Sequence, residues 1–238
     1  MRARLVTVAH GTRNAAGPEV VRALVRQVRR RLPSVDVAES YVELVEPSFS
    51  SVMTSSESPS VVVPLLLSTG YHVTTDLPES AALSPHEVTL TRPLGPHPLL
   101  AAVMGLRLRA AGARRGDAVV MIAAGSSDPD AAVDTYVAGR MLQAHWGAPV
   151  VVGHLSGSAT DVPDAMAELR AQGHRRIAAV PYLLAPGYFA TKADVLAKVN
   201  GAVAVADVLG PHPLVAELVA RRYLAATRQV TAARVRVA

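Results

Sequence analysis

The chain of 238 residues contains no cysteine. Disulfides and thiolate metal ligands are therefore excluded, and any metal it handles must be held by imidazole and carboxylate. Aromatic residues make up only 4%, although half of the residues are hydrophobic and mostly Val, Ala and Leu. That composition suits the buried strands and close-packed helices of a parallel α/β protein. Lysine-rich runs are missing, as are the interleaved aromatics that base stacking needs. The net charge of +5 and the pI near 10.0, carried almost entirely by arginines spread over several predicted helices, therefore do not read as nucleic-acid binding. They fit solvated helix faces, or a cleft that concentrates a polyanionic small molecule. No apolar run reaches the length of a membrane span or the core of a leader, because residues 1–4 lead into a strand about five residues long. A cytoplasmic protein without a membrane partner is expected. Several catalytic signatures are also missing: no phosphate loop, no G-x-G-x-x-G, no H-E-x-x-H and no G-x-S-x-G elbow. Ser126-Ser127-Asp128 has no adjacent histidine and reads as the cap of a helix beginning near Pro129.

What the chain does have is an internal duplication. Leu94-Gly95-Pro96-His97-Pro98-Leu99 returns as Leu209-Gly210-Pro211-His212-Pro213-Leu214. Val63-Pro64-Leu65-Leu66-Leu67-Ser68-Thr69-Gly70-Tyr71-His72 returns as Val180-Pro181-Tyr182-Leu183-Leu184-Ala185-Pro186-Gly187-Tyr188-Phe189, and Ala9-His10-Gly11-Thr12 as Ala123-Ala124-Gly125-Ser126. Blocks in the same order at nearly constant spacing indicate a repeated unit of roughly 115 residues, far longer than a solenoid repeat. His10 aligns with Ala124 and His72 with Phe189, so the histidines survive in one copy only. A single site in the N-terminal half is expected, and the duplication, standing in for a homodimer of half-length chains, predicts a monomer.

Apolar periodicity places strands at 4–9, 35–42, 61–67 and 87–91, with Pro64 interrupting the hydrogen bonding of the third. Helices follow from Pro18, from Pro47, and over 98–111. The second half repeats the order, with strands at 118–123, 150–154, 177–183 and 202–208 and helices at 129–146, 163–172, 191–199 and 213–226. Strand–helix alternation with short turns predicts two similar three-layer αβα halves, each with a parallel sheet of about four strands. The halves are assigned to 1–113 and 117–228, joined through Arg114-Arg115-Gly116-Asp117. Residues 229–238 lack a core pattern and are assigned as a tail.

In open parallel sheets, ligands bind beyond the carboxyl ends of the strands. His10 follows the first strand, Glu43 and Glu46 the second and His72 the third, so all four project to one edge. Two imidazoles and a carboxylate suit Fe(II), Co(II), Ni(II) or Zn(II) with positions left open. His97 and His212 occupy the same Gly-Pro-His-Pro turn in both halves and read as architecture. His86, His145 and His174 read as surface residues, and His154 follows a strand of the second half, where it would face the cleft between the halves without a partner.

Val8-Ala9-His10-Gly11-Thr12-Arg13 resembles the G-H-G-S-R opening of the sirohydrochlorin chelatases, the class II tetrapyrrole chelatases of siroheme and cobalamin biosynthesis. Tyr41-Val42-Glu43-Leu44-Val45-Glu46-Pro47-Ser48 is similar to that family's L-E-x-x-x-P-S segment, and Gly70-Tyr71-His72-Val73 with Asp76-Leu77-Pro78 to its G-x-H-V-x-x-D-I-P block. The Leu-Gly-Pro-His-Pro-Leu turn also belongs to it. The likeness spans about residues 4–225 and matches the long, two-half form, with Ala9 and Thr12 as mild departures. It implies insertion of Fe(II) or Co(II), or Ni(II) in some members, into sirohydrochlorin or a close relative. No cofactor is implied beyond that substrate metal. His10 and His72 would be metal ligands and proton acceptors, and Glu43 the third ligand or a proton relay, with Glu46 as an alternative. Arg13 would contact substrate carboxylates, and Tyr71 and Phe189 would pack on the macrocycle. The C-terminal half becomes a lid or wall. The rival reading is a non-catalytic tetrapyrrole or metal carrier on the same fold; a hydrolase is disfavoured by the missing nucleophile.

Overall fold

The computed structural model describes residues 3–157 and 159–237. The chain forms two four-stranded parallel sheets. The first contains β1 (Arg4–Ala9), β2 (Val37–Tyr41), β3 (Ser60–Pro64) and β4 (Val88–Leu90) in the order β2-β1-β3-β4. The second contains β5 (Ala118–Ala123), β6 (Val150–His154), β7 (Ile177–Pro181) and β8 (Ala204–Val205) in the equivalent order β6-β5-β7-β8. The helices are α1 (Ala16–Arg31), α2 (Phe49–Thr54), α3 (Leu77–Ala81) and α4 (Pro98–Ala110) in the first half. The second half holds α5 (Pro129–Trp146), α6 (Val162–Ala171), α7 (Tyr188–Val199) and α8 (Pro213–Val237). Two αβα halves related by duplication are thus present.

Helices cover both faces of the central strands, so most of their residues are apolar on both sides. Along β1, Leu5 and Ala9 join a core with Val21, Leu24 and Val28 of α1. Val6 and Val8 face the other way, onto Phe49 and Met53 of α2 and Leu77 of α3. Each such fully buried Val or Leu contributes about 1.5–3 kcal/mol relative to exposure. Pro64 ends β3 where its missing N–H does no harm. The N–H groups of even-numbered residues point toward β4, as Ser60 N–H donates to Glu87 O. Pairing with β4 has ended by Val62–Leu90. Pro181 repeats this at the end of β7, so that strand stops short of the expected Leu183. β8 is reduced to two residues, because only Ala204 and Val205 pair with β7; Ala206 and Val208 are buried outside the ladder.

The halves are interleaved rather than merely adjacent. Helix α4 packs on α5 and on β7 of the second sheet, while α8 packs on α1 and on β3 of the first. Each half's last helix therefore covers the other half's sheet, and one apolar core runs through α1, α4, α5 and α8. Helix α8 continues through Val237, across the residues assigned as a tail. Val215, Leu218, Val219 and Tyr223 anchor its first turns, and no Pro or Gly follows Pro213, so extension is cheaper than a new start. At the junction, Asp117 is buried and takes a two-pronged ion pair from Arg176, with 2.8 and 3.1 Å contacts. Its backbone carbonyl accepts from Trp146 Nε1. Among the described residues, no helix is long and apolar enough to cross a membrane.

Candidate active site

The carboxyl ends of β1, β2 and β3 bring His10, Glu43 and His72 to one edge of the first sheet. β1 and β2 remain tied beyond their last residues, with Val42 N–H donating to Ala9 O and Glu43 N–H to His10 O. Gly11 adopts φ +102°, and a Cβ there would lie 1.8 Å from Glu43 O. Only glycine lets the two loops approach this closely. Directly after Glu43 the chain makes a γ-turn about Leu44. Val45 N–H donates to Glu43 O across it, and Leu44 sits at φ 64°. A non-glycine residue at positive φ costs of order 1 kcal/mol and persists where the surroundings hold it. Here it turns the Glu43 side chain back toward β1, where Oε1 lies 3.5 Å from His10 Nδ1. Glu46 does not join this group: its Oε2 accepts from Ser48 N–H at 2.7 Å, and Ser48 in turn caps α2.

His72 begins a π-helical turn, His72–Asp76, that runs into α3. Such turns are rare and recur at functional sites. The helical path puts Asp76 beneath His72, with Nδ1 to Oδ2 at 2.5 Å. His10 and His72 meet edge to face, with ring centroids 4.6 Å apart and planes at 89°. Asp76 thus stands at Nδ1 of His72, whereas Nδ1 of His10 lies between Gly11 O at 3.3 Å and the Glu43 carboxylate at 3.5 Å. Among the described residues, neither Nε2 atom has a hydrogen-bond partner. A carboxylate at one imidazole nitrogen fixes the tautomer and leaves the other as a lone-pair donor. Both carboxylates border a cavity of about 240 Å³, shared with Ser50, Glu79 and Ser80. Among the described residues, no three His, Asp or Glu side chains converge on one point as a formed metal cage. Two open imidazole nitrogens can bind a metal loosely, or take a proton and pass the Nδ1 proton outward.

Asp76 is the residue that sequence reasoning missed. The i, i+4 spacing of His72 and Asp76 was visible, but it becomes a contact only if the intervening residues are helical. Arg13 is exposed and forms no ion pair among the described residues. Tyr71 is 64% exposed, with its ring 6.4 Å from that of His72. Tyr188 and Phe189 stand at the start of α7, with rings 5.5 Å apart. The loop before them rests on the first half, because a Cβ on Gly187 would lie 3.0 Å from Thr12 Oγ1.

The other histidines are structural or peripheral. His97 and His212 each accept a backbone N–H through Nδ1, at 3.1 Å, from Leu99 and Leu214 respectively. Burial lowers the pKa of both. His154 faces Thr135 Oγ1 and Thr160 O, each at 3.2 Å. His86 and His145 are exposed. The equivalent edge of the second sheet carries a cavity of about 410 Å³ lined by Ile122, Pro181, Thr191, Asp194 and Asp207 among others, without a histidine. Some of the arginines are structural: Arg29 donates to Val37 O, Arg107 to Leu209 O and Arg170 to Asn200 O.

SirB from Bacillus subtilis with Fe3+ has the same fold, with a TM-score of 0.82 at 24% identity over 98% of both chains. SirB from Bacillus subtilis subspecies spizizenii in complex with cobalt gives 0.75 at 22% identity over 96% of both. A curated protein, the sirohydrochlorin cobaltochelatase of Methanococcoides burtonii, is 26% identical over 114 residues, which cover 41% of this chain and 87% of that protein. The CbiX family model matches twice, over residues 4–111 and 118–226, once for each copy of the duplicated unit. The chain belongs to the CbiX family.

Proposed function

We propose that this protein is a metal chelatase that inserts Fe(II) or Co(II) into sirohydrochlorin or a closely related tetrapyrrole, at the edge formed by His10 and His72. The observation that carries the reading is the perpendicular imidazole pair, 4.6 Å between centroids, with Asp76 at Nδ1 of His72 and Glu43 3.5 Å from Nδ1 of His10. Support comes from family membership, from the named activity of the Methanococcoides burtonii relative, and from the iron and cobalt held by the two SirB structures.

Insertion exchanges two pyrrolic protons for one divalent cation, so charge balances only if a base removes the protons. Among the described residues the Nε2 atoms of His10 and His72 have no hydrogen-bond partner, and they are placed to do this or to hold the incoming metal. When Nε2 takes a proton, the Nδ1 proton passes to Glu43 or Asp76, and from there to the water of the adjoining cavity. Glu43 beside His10 Nδ1 suits that relay better than a third ligand position. A ligand set this open releases its metal readily to four ring nitrogens, whereas a closed cage would retain it. In this reading residues 1–113 carry the reacting groups, and 117–228 wall the substrate through Phe189. Tyr71 lies against the macrocycle, and the free guanidinium of Arg13 meets its carboxylates.

The test is to mix the protein with sirohydrochlorin and Co(II) and follow the absorbance of the product. A chelatase raises the rate well above the spontaneous reaction. A rate equal to the spontaneous one would mean a carrier of the tetrapyrrole or the metal.

A further inference from the structure

The loop between β3 and His72 is gripped by the opposite half, and among the described residues the grip exists in one direction only. Asp134 on α5 accepts through Oδ2 both the backbone N–H and the hydroxyl of Thr69, each at 2.7 Å. Two residues earlier, the hydroxyl of Tyr182, just beyond β7, donates to Leu67 O at 2.9 Å. Tyr182 is almost wholly buried. Its pKa is pushed up by that burial and further by the negative charge of Asp134, so the two groups share one environment. Duplication supplies an internal control. Tyr182 aligns with Leu65, which has no hydroxyl, and Thr69 aligns with Pro186, which has neither hydroxyl nor N–H. The reciprocal grip on the loop that carries Phe189 therefore cannot form. By contrast, the arginine contacts between halves occur in both directions, Arg107 to Leu209 O and Arg222 to Leu94 O.

We propose that Asp134 and Tyr182 are positioning residues: through Thr69 and Leu67 they set the loop that presents His72, so the histidine-free half helps to build the site. This rests on the chelatase reading above. A carboxylate oxygen that accepts two hydrogen bonds from one residue fixes both its backbone and its rotamer, three residues before the imidazole. Loss of that restraint lets the ring drift from His10, and displacements of about 1 Å cost about a hundredfold in rate at a preorganised site.

The experiment compares Asp134→Ala, Asp134→Asn and Thr69→Val with wild type in the Co(II) insertion assay, with Asp130→Ala as a control on the exposed first turn of α5. The expected result is a fall in kcat of about ten- to hundredfold in Asp134→Ala. KM for the tetrapyrrole should stay within about twofold, and Asp134→Asn, whose amide oxygen can accept both bonds, should recover most of the rate. Thr69→Val removes one of the two bonds without touching α5 and should give an intermediate kcat, which keeps the test open if Asp134→Ala does not fold. A purely structural contact would lower the melting temperature and leave kcat unchanged. Wild-type kcat in Thr69→Val and Asp134→Ala, or an equal loss in Asp130→Ala, overturns the proposal. If wild type itself shows no insertion, the chelatase reading has failed. The clamp is then judged on the imidazole NMR resonances of His72, which must shift in Asp134→Ala and not in Asp130→Ala.

Discussion

Arg107 and Arg222 occupy the same position of the duplicated unit, and each reaches across to a backbone carbonyl of the other half. Arg107 Nη2 meets Leu209 O at 2.9 Å, with Nε of the same guanidinium at 3.3 Å, whereas Arg222 Nη2 lies 3.5 Å from Leu94 O. Among the described residues the Nε atom of Arg222 is buried without a partner, and burial together with the nearby charge of Arg92 lowers the pKa of the guanidinium. One arginine is therefore well satisfied and its twin is not. Arg107→Met should destabilise the protein by about 1.5–3 kcal/mol, the range for hydrogen bonds to charged groups. Arg222→Met should be near neutral, because replacing a poorly partnered, partly buried charge with an apolar chain removes a desolvation penalty. Urea denaturation of the two variants checks this; equal losses would show that the two contacts are equivalent.

Asp117 ties the start of β5 to Arg176 and, through Arg114 N–H, to the junction itself. Arg176 holds its carboxyl below the ordinary carboxylate value. A depressed acid stabilises the fold above its unfolded pKa, about 4, and that contribution disappears as pH falls through the lower folded value. Asp117→Ala should cost about 2–3 kcal/mol at neutral pH, and the difference from wild type should shrink below about pH 4. A pH-independent difference in melting curves would mean that packing, and not the ion pair, sets the loss.

Asp76 holds the Nδ1 side of His72, so Asp76→Asn should reduce the insertion rate by about 10–100-fold, the usual penalty for removing a carboxylate behind a working imidazole. Asp76 is 30% exposed at its side chain, and far-UV circular dichroism should be unchanged. Activity within twofold of wild type would show that the contact is incidental.

Much of this architecture is readable from the residues alone. β1, β5, β6 and α5 begin and end where apolar runs, Gly147 and the Asp128–Pro129 cap place them. The convergence of His10 and His72 follows from their places after the carboxyl ends of the first and third strands and from the loss of both in the second copy. Besides the shortened β7 and β8 and the run of α8 across 229–237, two features were not readable. The π-helical turn at His72–Asp76 has no periodicity of its own over five residues, and without it Asp76 is only a loop carboxylate. The exchange of α4 and α8 between sheets was hidden because an apolar stripe specifies that a helix is covered, not by which sheet.

Divalent metal should bind at one site, in the first half. Ala124 and Phe189 offer no ligand, and both ring nitrogens of His154 are engaged by Thr135 and Thr160. Because protons compete with metal for imidazole nitrogen, affinity should fall as pH is lowered, more steeply than for a single histidine. Calorimetry with Co(II) measures both the stoichiometry and the pH dependence. Two equivalent sites, or binding that survives His10→Ala combined with His72→Ala, would place ligands elsewhere in the chain.

The most direct measurement is the rate of Co(II) insertion into sirohydrochlorin by His10→Ala and by His72→Ala, each compared with wild type and with the reaction without protein. The two side chains are 48% and 34% exposed, so little core is lost and circular dichroism should match wild type. If the perpendicular imidazole pair is the working centre, each variant falls to the rate of the reaction without protein. A folded variant that inserts cobalt at the wild-type rate would contradict it.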